Sequence, residues 1–295
     1  MATSQPAKKA VVESTAEAVD PKATWQPAPE DRAKANKFRL IAALFWVVAI
    51  AIECVVIFRL LLVGGVTTTQ ADTGAETTSY PFFGAMLSQN AYFAWILALI
   101  VVCGVLAVIG SQFWKKANAL DPASEKNKVR FFVQNQLGAI ISMIAFIPLV
   151  ILVLMNKNLK GNQKVIASIV AILVLAGATF ASYDYNSPSV EQYGDEQALV
   201  MAYNEAVNGT ATDVVYWVKG SKVYHLCSDA SVLNLSSKDP YIYSGPVGKA
   251  HGAGMNRLTL QTECDFNPST NTIVSTGQVL ELPARNTPTP TDSPT

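Results

Sequence analysis

Four long apolar runs dominate the chain: Leu40 to Val63, Ala91 to Phe113, Phe131 to Met155 and Val165 to Ser182. Each has about 18 to 25 residues, and at a rise of about 1.5 Å per residue each can cross a hydrocarbon layer of roughly 30 Å. A strand with an open edge would leave backbone donors and acceptors unpaired there, so the runs predict helices. Aromatic residues gather near the run ends, among them Tyr92, Phe93, Trp95, Trp114, Phe131, Phe132, Tyr183 and Tyr185, where amphipathic rings suit a headgroup layer. Small residues recur four apart, as Ala94 and Ala98, Gly138 and Ser142, Gly177 and Ala181, a spacing that lets helix backbones approach closely.

Outside these runs the pattern changes. Residues 1–37 are rich in Ala, Pro, Glu, Lys and Gln with no sustained periodicity, which predicts a disordered N-terminal tail. The first apolar run begins near Leu40, beyond the usual layout of a cleavable leader. After Ser182 the composition becomes that of a soluble domain. Ser189 with Gln192 three residues on predicts a capped helix over about 189–207. The stretch 212–282 reads as β-rich. Val214 to Val218 and Lys222 to Leu226 flank Lys219, Gly220 and Ser221 as a hairpin, and Arg257 to Glu263 and Ile273 to Leu282 read as two further strands. Residues 285–295, with Pro288, Pro290 and Pro294 among threonines, predict a flexible tail. The fold class is therefore an α-helical polytopic membrane protein with four transmembrane helices in 38–183, followed by a small α+β soluble module in 184–284.

Composition supports the membrane class. Half of the 295 residues are hydrophobic and 15% are charged, and the mean hydropathy is +0.26, too apolar for an ordinary soluble domain. The formal net charge is zero, and no basic cluster of the kind that binds a polyanion occurs, so nucleic acid is not an expected partner. The basic residues are unevenly placed. Arg32, Lys34, Lys37 and Arg39 precede the first run, and Lys115, Lys116, Lys126, Lys128 and Arg130 lie between the second and third, whereas Gly64 to Asn90 has none. This asymmetry puts the N-terminus and the second loop in the cytoplasm of a plasma-membrane protein, and four crossings then return the C-terminal module there. Lys157, Lys160 and Lys164 in the third loop argue for the opposite orientation of the last two helices, with an extracytoplasmic module.

The candidate chemistry is sparse. Glu53 lies near the middle of the first run, where a carboxylate is costly and faces the bundle interior or a wet cavity by default. It is the candidate intramembrane polar site, with a protonated packing residue as the alternative. Arg59 falls on another helix face and suits snorkelling to the surface. Cys54 and Cys103 sit inside apolar runs as small hydrophobes. The chain has two histidines and neither a nucleophile elbow nor a phosphate-cradling glycine loop, so no catalytic or cofactor-binding residue is assigned.

The segments "VVYWVKGSKVYHLCSDASVL" and "GKAHGAGMNRLTLQTEC" resemble a small bacterial module found at the tails of secreted nucleases and related to the zinc-binding domain of Ada-type repair proteins. The resemblance implies a hairpin ending in Tyr224 and His225 and a turn over Ala250 to Gly254. Where that family places its metal cysteines this chain has Asp229, Ala230 and Ser231, and later Thr259, Thr262 and Cys264. The segments "FWKKANALDPASEKNKVRFFVQNQLGAIISMIAFIPL", "MNKNLKGNQK" and "SYDYNSPSVEQY" are similar to an uncharacterised family of actinobacterial four-helix membrane proteins, which implies architecture alone. No metal site is assigned. The alternative is zinc on His225, Cys227, His251 and Cys264, two thiolates and two imidazoles; a Cys227–Cys264 disulfide, or two reduced thiols, are the other readings. The leading functional expectation is a non-enzymatic membrane protein, embedded in lipid, whose residues 184–284 dock a protein or the envelope. A small transporter or channel using Glu53, and a metal-binding or redox module on a membrane anchor, are the alternatives.

Overall fold

A computed structural model describes residues 10–12, 25–230, 232–233, 240–259, 264, 266–267, 272–275 and 278–281. The chain forms two compact units. One comprises Asn36–Lys115 and Phe132–Tyr185; the other comprises Met1–Ala35, Lys116–Phe131 and Asn186–Thr295.

The first unit is built on four helices long and apolar enough to cross a membrane. They are α1 (Pro29–Val55, continuing as a π-helical turn over Val56–Leu61), α2 (Gln89–Leu120), α3 (Lys128–Met155) and α4 (Gly161–Ser182). Helical spacing brings one stripe of each into the core: Val56 and Leu60, then Tyr92, Ile96, Ile100 and Cys103, then Phe146, Leu149 and Val153, then Ala167 and Ala171. The opposite faces are apolar as well, with Val47, Ile144, Leu173 and Phe180 all at least 63% exposed. A soluble protein rarely presents so much apolar surface, whereas a bilayer covers it.

Polar side chains seal both ends of this unit. The π-helical turn frees carbonyls at the end of α1. The Tyr92 hydroxyl donates to the Leu60 carbonyl at 2.9 Å, Asn156 Nδ2 to Leu61 at 2.9 Å and Asn158 Nδ2 to Val63 at 2.7 Å. Between α1 and α2 the chain makes a three-stranded antiparallel meander, β2 (Val66–Thr69), β3 (Glu76–Phe82) and β4 (Ala85–Ser88). Its Tyr80 stacks on Tyr92 at 4.0 Å and donates to Gln89 Oε1 at 2.7 Å. At the other end, Lys115 Nζ donates to the Ala181 and Tyr183 carbonyls at 3.0 and 2.7 Å, placing a cation on the negative C-terminus of α4. Gln136 exchanges two hydrogen bonds with the Asp184 backbone at 2.9 and 3.0 Å.

The second unit contains α5 (Val190–Asn208), α6 (Val247–Gly252) and a five-stranded sheet. Its strands are β1 (Ala10–Val12), β5 (Val215–Trp217), β6 (Val223–His225), β7 (Tyr241–Gly245) and β8 (Arg257–Thr259), in the order β1-β7-β5-β6-β8. Leu199, Val200 and Tyr203 of α5 share a core with Val215, Trp217, Tyr224 and Ile242 of the sheet. Ser189 caps α5 by accepting from the Gln192 amide at 3.0 Å. Gly209 ends it at φ 71°, a conformation that costs glycine little. A second sheet joins β9 (Phe266–Asn267), β10 (Thr272–Ser275) and β11 (Gln278–Glu281) in the order β11-β10-β9.

Two expectations are corrected and one loop carries structure that was not expected. The tail 1–37 is not wholly disordered: Ala10–Val12 pairs in parallel with Tyr241–Tyr243, and α1 starts at Pro29. Proline suits a first helical position, and Glu30 and Asp31 favour the first turn, so charged residues extend the helix outward from its apolar run. Most of the remaining tail, and 285–295, lie outside the described residues. The stretch Ile273 to Leu282 is two antiparallel strands, with Ile273 opposite Leu280, rather than one. The loop Gly64 to Asn90 carries the unforeseen meander. The strands β7 and β9 and the helix α6 were not expected either, and the strand expected over Arg257 to Glu263 is described as Arg257–Thr259, with 260–263 outside the described residues.

The helix packing is tight at Gly138, where an added methyl would lie 2.5 Å from Ser111 Oγ, whereas at Gly177 nothing lies within 4 Å. Gly138→Ala should therefore destabilise the detergent-solubilised protein by about 1–3 kcal/mol, read as a lower melting temperature. Gly177→Ala should leave that temperature unchanged or raise it slightly.

Candidate functional site

The described chemistry of the second unit gathers around α6 and the ends of β6 and β8. Cys227 is the second residue after β6, and its sulfur is bonded to that of Cys264, with Cα atoms 5.5 Å apart. The 37-residue separation corresponds to ~4 kcal/mol of stabilisation on a chain-entropy account. Cys264 is buried and Cys227 partly buried. The Tyr203 hydroxyl donates to the Cys264 carbonyl at 2.7 Å.

α6 is fixed separately, from both ends. Near its start, Asp213 accepts the Val247 amide at 3.0 Å and Gln197 Nε2 at 2.7 Å. Near its end, His251 Nε2 lies 2.7 Å from Glu196 Oε2 of α5, and the buried Tyr224 hydroxyl donates to the same carboxylate oxygen. Tyr193 stacks on the His251 ring at 3.8 Å, and Trp25 meets Tyr193 edge-on at 5.0 Å. Burial raises the Glu196 carboxyl, but the hydrogen bond and charge of His251, then Tyr224 and Gln192, outweigh it and hold the group below its usual range. Burial also raises Asp213, and there it outweighs the hydrogen bonds from Val247 and Gln197.

Beside this cluster lies a cavity of about 630 Å³. Trp217 and Tyr243, with ring centroids 6.5 Å apart, supply aromatic wall. Lys34, Lys219 and Lys249 face Glu30 and Asp31 around it, and Leu120 and Met255 are apolar lining. A mixed charge set over an aromatic wall suits a recognition surface, because it orders a partner's polar groups without itself supplying a nucleophile and base pair.

The zinc alternative does not assemble. The sulfurs of Cys227 and Cys264 are bonded to each other, and His251 is turned to Glu196. No group of three or more His, Cys, Asp or Glu placed to hold a metal occurs among the described residues. Of the four, Cys227 and Cys264 are the pair brought together among the described residues. Glu53 is buried at 7% exposure in the first unit. It has no hydrogen bond among the described residues, and Arg59 sits instead over the Phe83 ring at 5.5 Å. Glu196, Asp213, Tyr193 and the cavity were not foreseen. The partners that define them, such as His251 for Glu196 and Val247 for Asp213, lie 55 and 34 residues away in sequence, and no local signal marks them.

The fold thus defines a multi-pass membrane protein with a disulfide-closed α+β module. Comparison with family models, curated proteins and solved structures found no match.

Because the Glu196 carboxyl is held below its ordinary value of about 4.5, its contribution is present above that pH and is lost as pH falls through the folded value. Glu196→Ala should destabilise the module by ~3 kcal/mol at neutral pH, since it strips a buried group from its partners. It should also flatten the loss of stability as pH falls below the ordinary carboxylate value of about 4.5. Denaturation followed by tryptophan fluorescence at several pH values checks both; an unchanged acid slope in the variant would refute the assignment.

Proposed function

We propose that this chain is a non-enzymatic, lipid-embedded membrane protein that presents its C-terminal module in the cytoplasm as a docking site for a protein partner. The supporting observation is that Lys116–Phe131, Pro29–Ala35 and Asn186–Thr295 belong to one compact unit. Ala123 bridges Ser189 in parallel, the Val190 amide donates to the Ala123 carbonyl at 3.2 Å, and Glu191 accepts from the Glu125 amide at 2.8 Å. The basic loop and the module therefore share one side. Lys116, Lys126, Lys128 and Arg130 are retained in the cytoplasm by the charge rule, and the module is retained with them. The three lysines of the third loop then stand against nine basic residues on the other face. Docking is assigned to the cavity, whose Trp217 and Tyr243 wall resembles the aromatic anchors of protein interfaces.

Affinity capture from detergent tests the docking. The intact protein should retain a partner that is lost when Lys219 and Lys249 are both changed to Glu. The same partner list for both proteins would contradict the proposal.

Glu53 supports a second reading, a small transporter or channel, because a buried carboxylate without a hydrogen bond among the described residues is costly in a membrane interior. On that reading Glu53→Gln abolishes a cation or proton flux in reconstituted vesicles while the protein stays folded. On the docking reading the variant is at least as stable as the parent and no flux is present to lose.

A further inference from the structure

The two strongest signals in this chain point to different compartments. Nine basic residues flank the helices on the side that carries the module, which argues for the cytoplasm. Cys227 and Cys264 of the same module are joined by a disulfide, and in a reducing cytoplasm such bonds are transient, catalytic or redox-sensing. Both hold together if the bond is made and broken in place. We propose that Cys227 and Cys264 form a reversible thiol–disulfide site that exchanges with cytoplasmic dithiols and low-molecular-weight disulfides. This rests on the cytoplasmic orientation proposed above.

The geometry sets the course of exchange. Cys264 is 4% exposed, and Cys227 is the more open of the pair, so an incoming thiolate attacks Cys227 Sγ. The bond between the two cysteines breaks, and Cys264 leaves with the electron pair as a thiolate and takes up a proton. The second thiolate of the reductant then attacks its own sulfur in the mixed disulfide. That releases Cys227 as a thiolate, which takes up the second proton, and closes the reductant into a cyclic disulfide. Two electrons and two protons pass to the protein, and one dithiol is oxidised. A linear disulfide of the glutathione type reoxidises the pair: the Cys227 thiolate attacks it and one thiol leaves, then the Cys264 thiolate attacks Cys227 Sγ and the second thiol leaves.

The consequence is local. α6 is held without the disulfide, by Asp213 at one end and the Glu196, His251 and Tyr224 cluster at the other. β8 is held by its parallel pairing with β6. What the disulfide alone ties covalently to the end of β6 is the chain from Cys264 onward, which carries β9, β10 and β11. After reduction the Tyr203 bond to the Cys264 carbonyl is the remaining described hydrogen bond at that point. Reduction therefore loosens the C-terminal segment and leaves the module folded around its cavity.

The test uses the full chain with Cys54→Ala and Cys103→Ala, so that a thiol count reports this pair alone. Cells are quenched in acid, and thiols are trapped with a maleimide that shifts gel mobility. The pair should be mainly reduced in growing cells, oxidise within minutes of a membrane-permeant thiol oxidant, and return on its removal. In detergent, hydrogen exchange of the segment around Cys264 should speed up by roughly tenfold or more on reduction, with α5 unchanged. A pair that stays oxidised in cells but opens to an impermeant reductant added outside would place the module outside and overturn the orientation together with this proposal. A pair that stays in one state while shielded from that reductant would overturn exchange and leave the orientation standing. Equal exchange rates in both redox states would overturn the tethering role.

Discussion

Glu191, in the first turn of α5, accepts the Ser124 hydroxyl and the Glu125 amide. Burial raises this carboxyl, and the bonds from Ser124 and Glu125 and the charge of Lys126 more than compensate, so it is held below its usual range. Through this contact, the Ala123–Ser189 bridge and the bond from the Tyr193 hydroxyl to the Ala119 carbonyl at 3.0 Å, a loop 60 residues upstream becomes part of the C-terminal module. The individual bonds are ordinary in strength. Their importance is topological: whatever holds Lys126 and Arg130 on one side of a membrane holds the disulfide, the buried histidine and the cavity there as well.

The helical unit meets a different constraint. Within a hydrocarbon layer every backbone group needs a partner, and a helix supplies one everywhere except at its ends. The ends are where this chain spends its polar residues. Tyr92, Asn156 and Asn158 take the carbonyls at the end of α1, and Lys115 takes those at the end of α4. The middle of the bundle is left to close packing, with Trp46 Nε1 reaching the Ala107 carbonyl at 3.2 Å as an exception. Glu53 is the charged residue that fits neither pattern. It is buried between end clusters that are already satisfied, so it stands out as a functional candidate in that unit.

Much of this architecture was legible in the sequence because apolar periodicity over twenty or more residues is a strong signal. The four spans and the capped α5 fall where the pattern places them. The meander was not legible, since Thr67, Thr68, Thr69, Thr77 and Thr78 put polar side chains on both faces and erase the alternation that marks a strand. β7 was hidden by its flanking prolines, Pro240 and Pro246, and by its glycine. The start of α1 was hidden by charge, because residues 29–39 are helical without being apolar. For Cys227 and Cys264 the residues alone left a disulfide, two reduced thiols and a share in a zinc set open. The contact between Glu196 and His251 spans 55 residues and has no local signature, and the cavity exists only where five separated segments meet.

The central claim is that the basic loop and the module lie together on the cytoplasmic face. It is tested most directly by the side from which the module can be reached. Lys222 is exposed in the β5–β6 hairpin, and a thiol introduced there by Lys222→Cys, in a chain with Cys54 and Cys103 replaced by alanine, can be probed with an impermeant maleimide. A second thiol introduced at Lys126, in a separate variant, reports the loop. Both should be labelled in inverted membrane vesicles and protected in right-side-out ones. Labelling of either thiol from the outside would contradict the account, and labelling of the two from opposite sides would show that the loop and the module do not share one body.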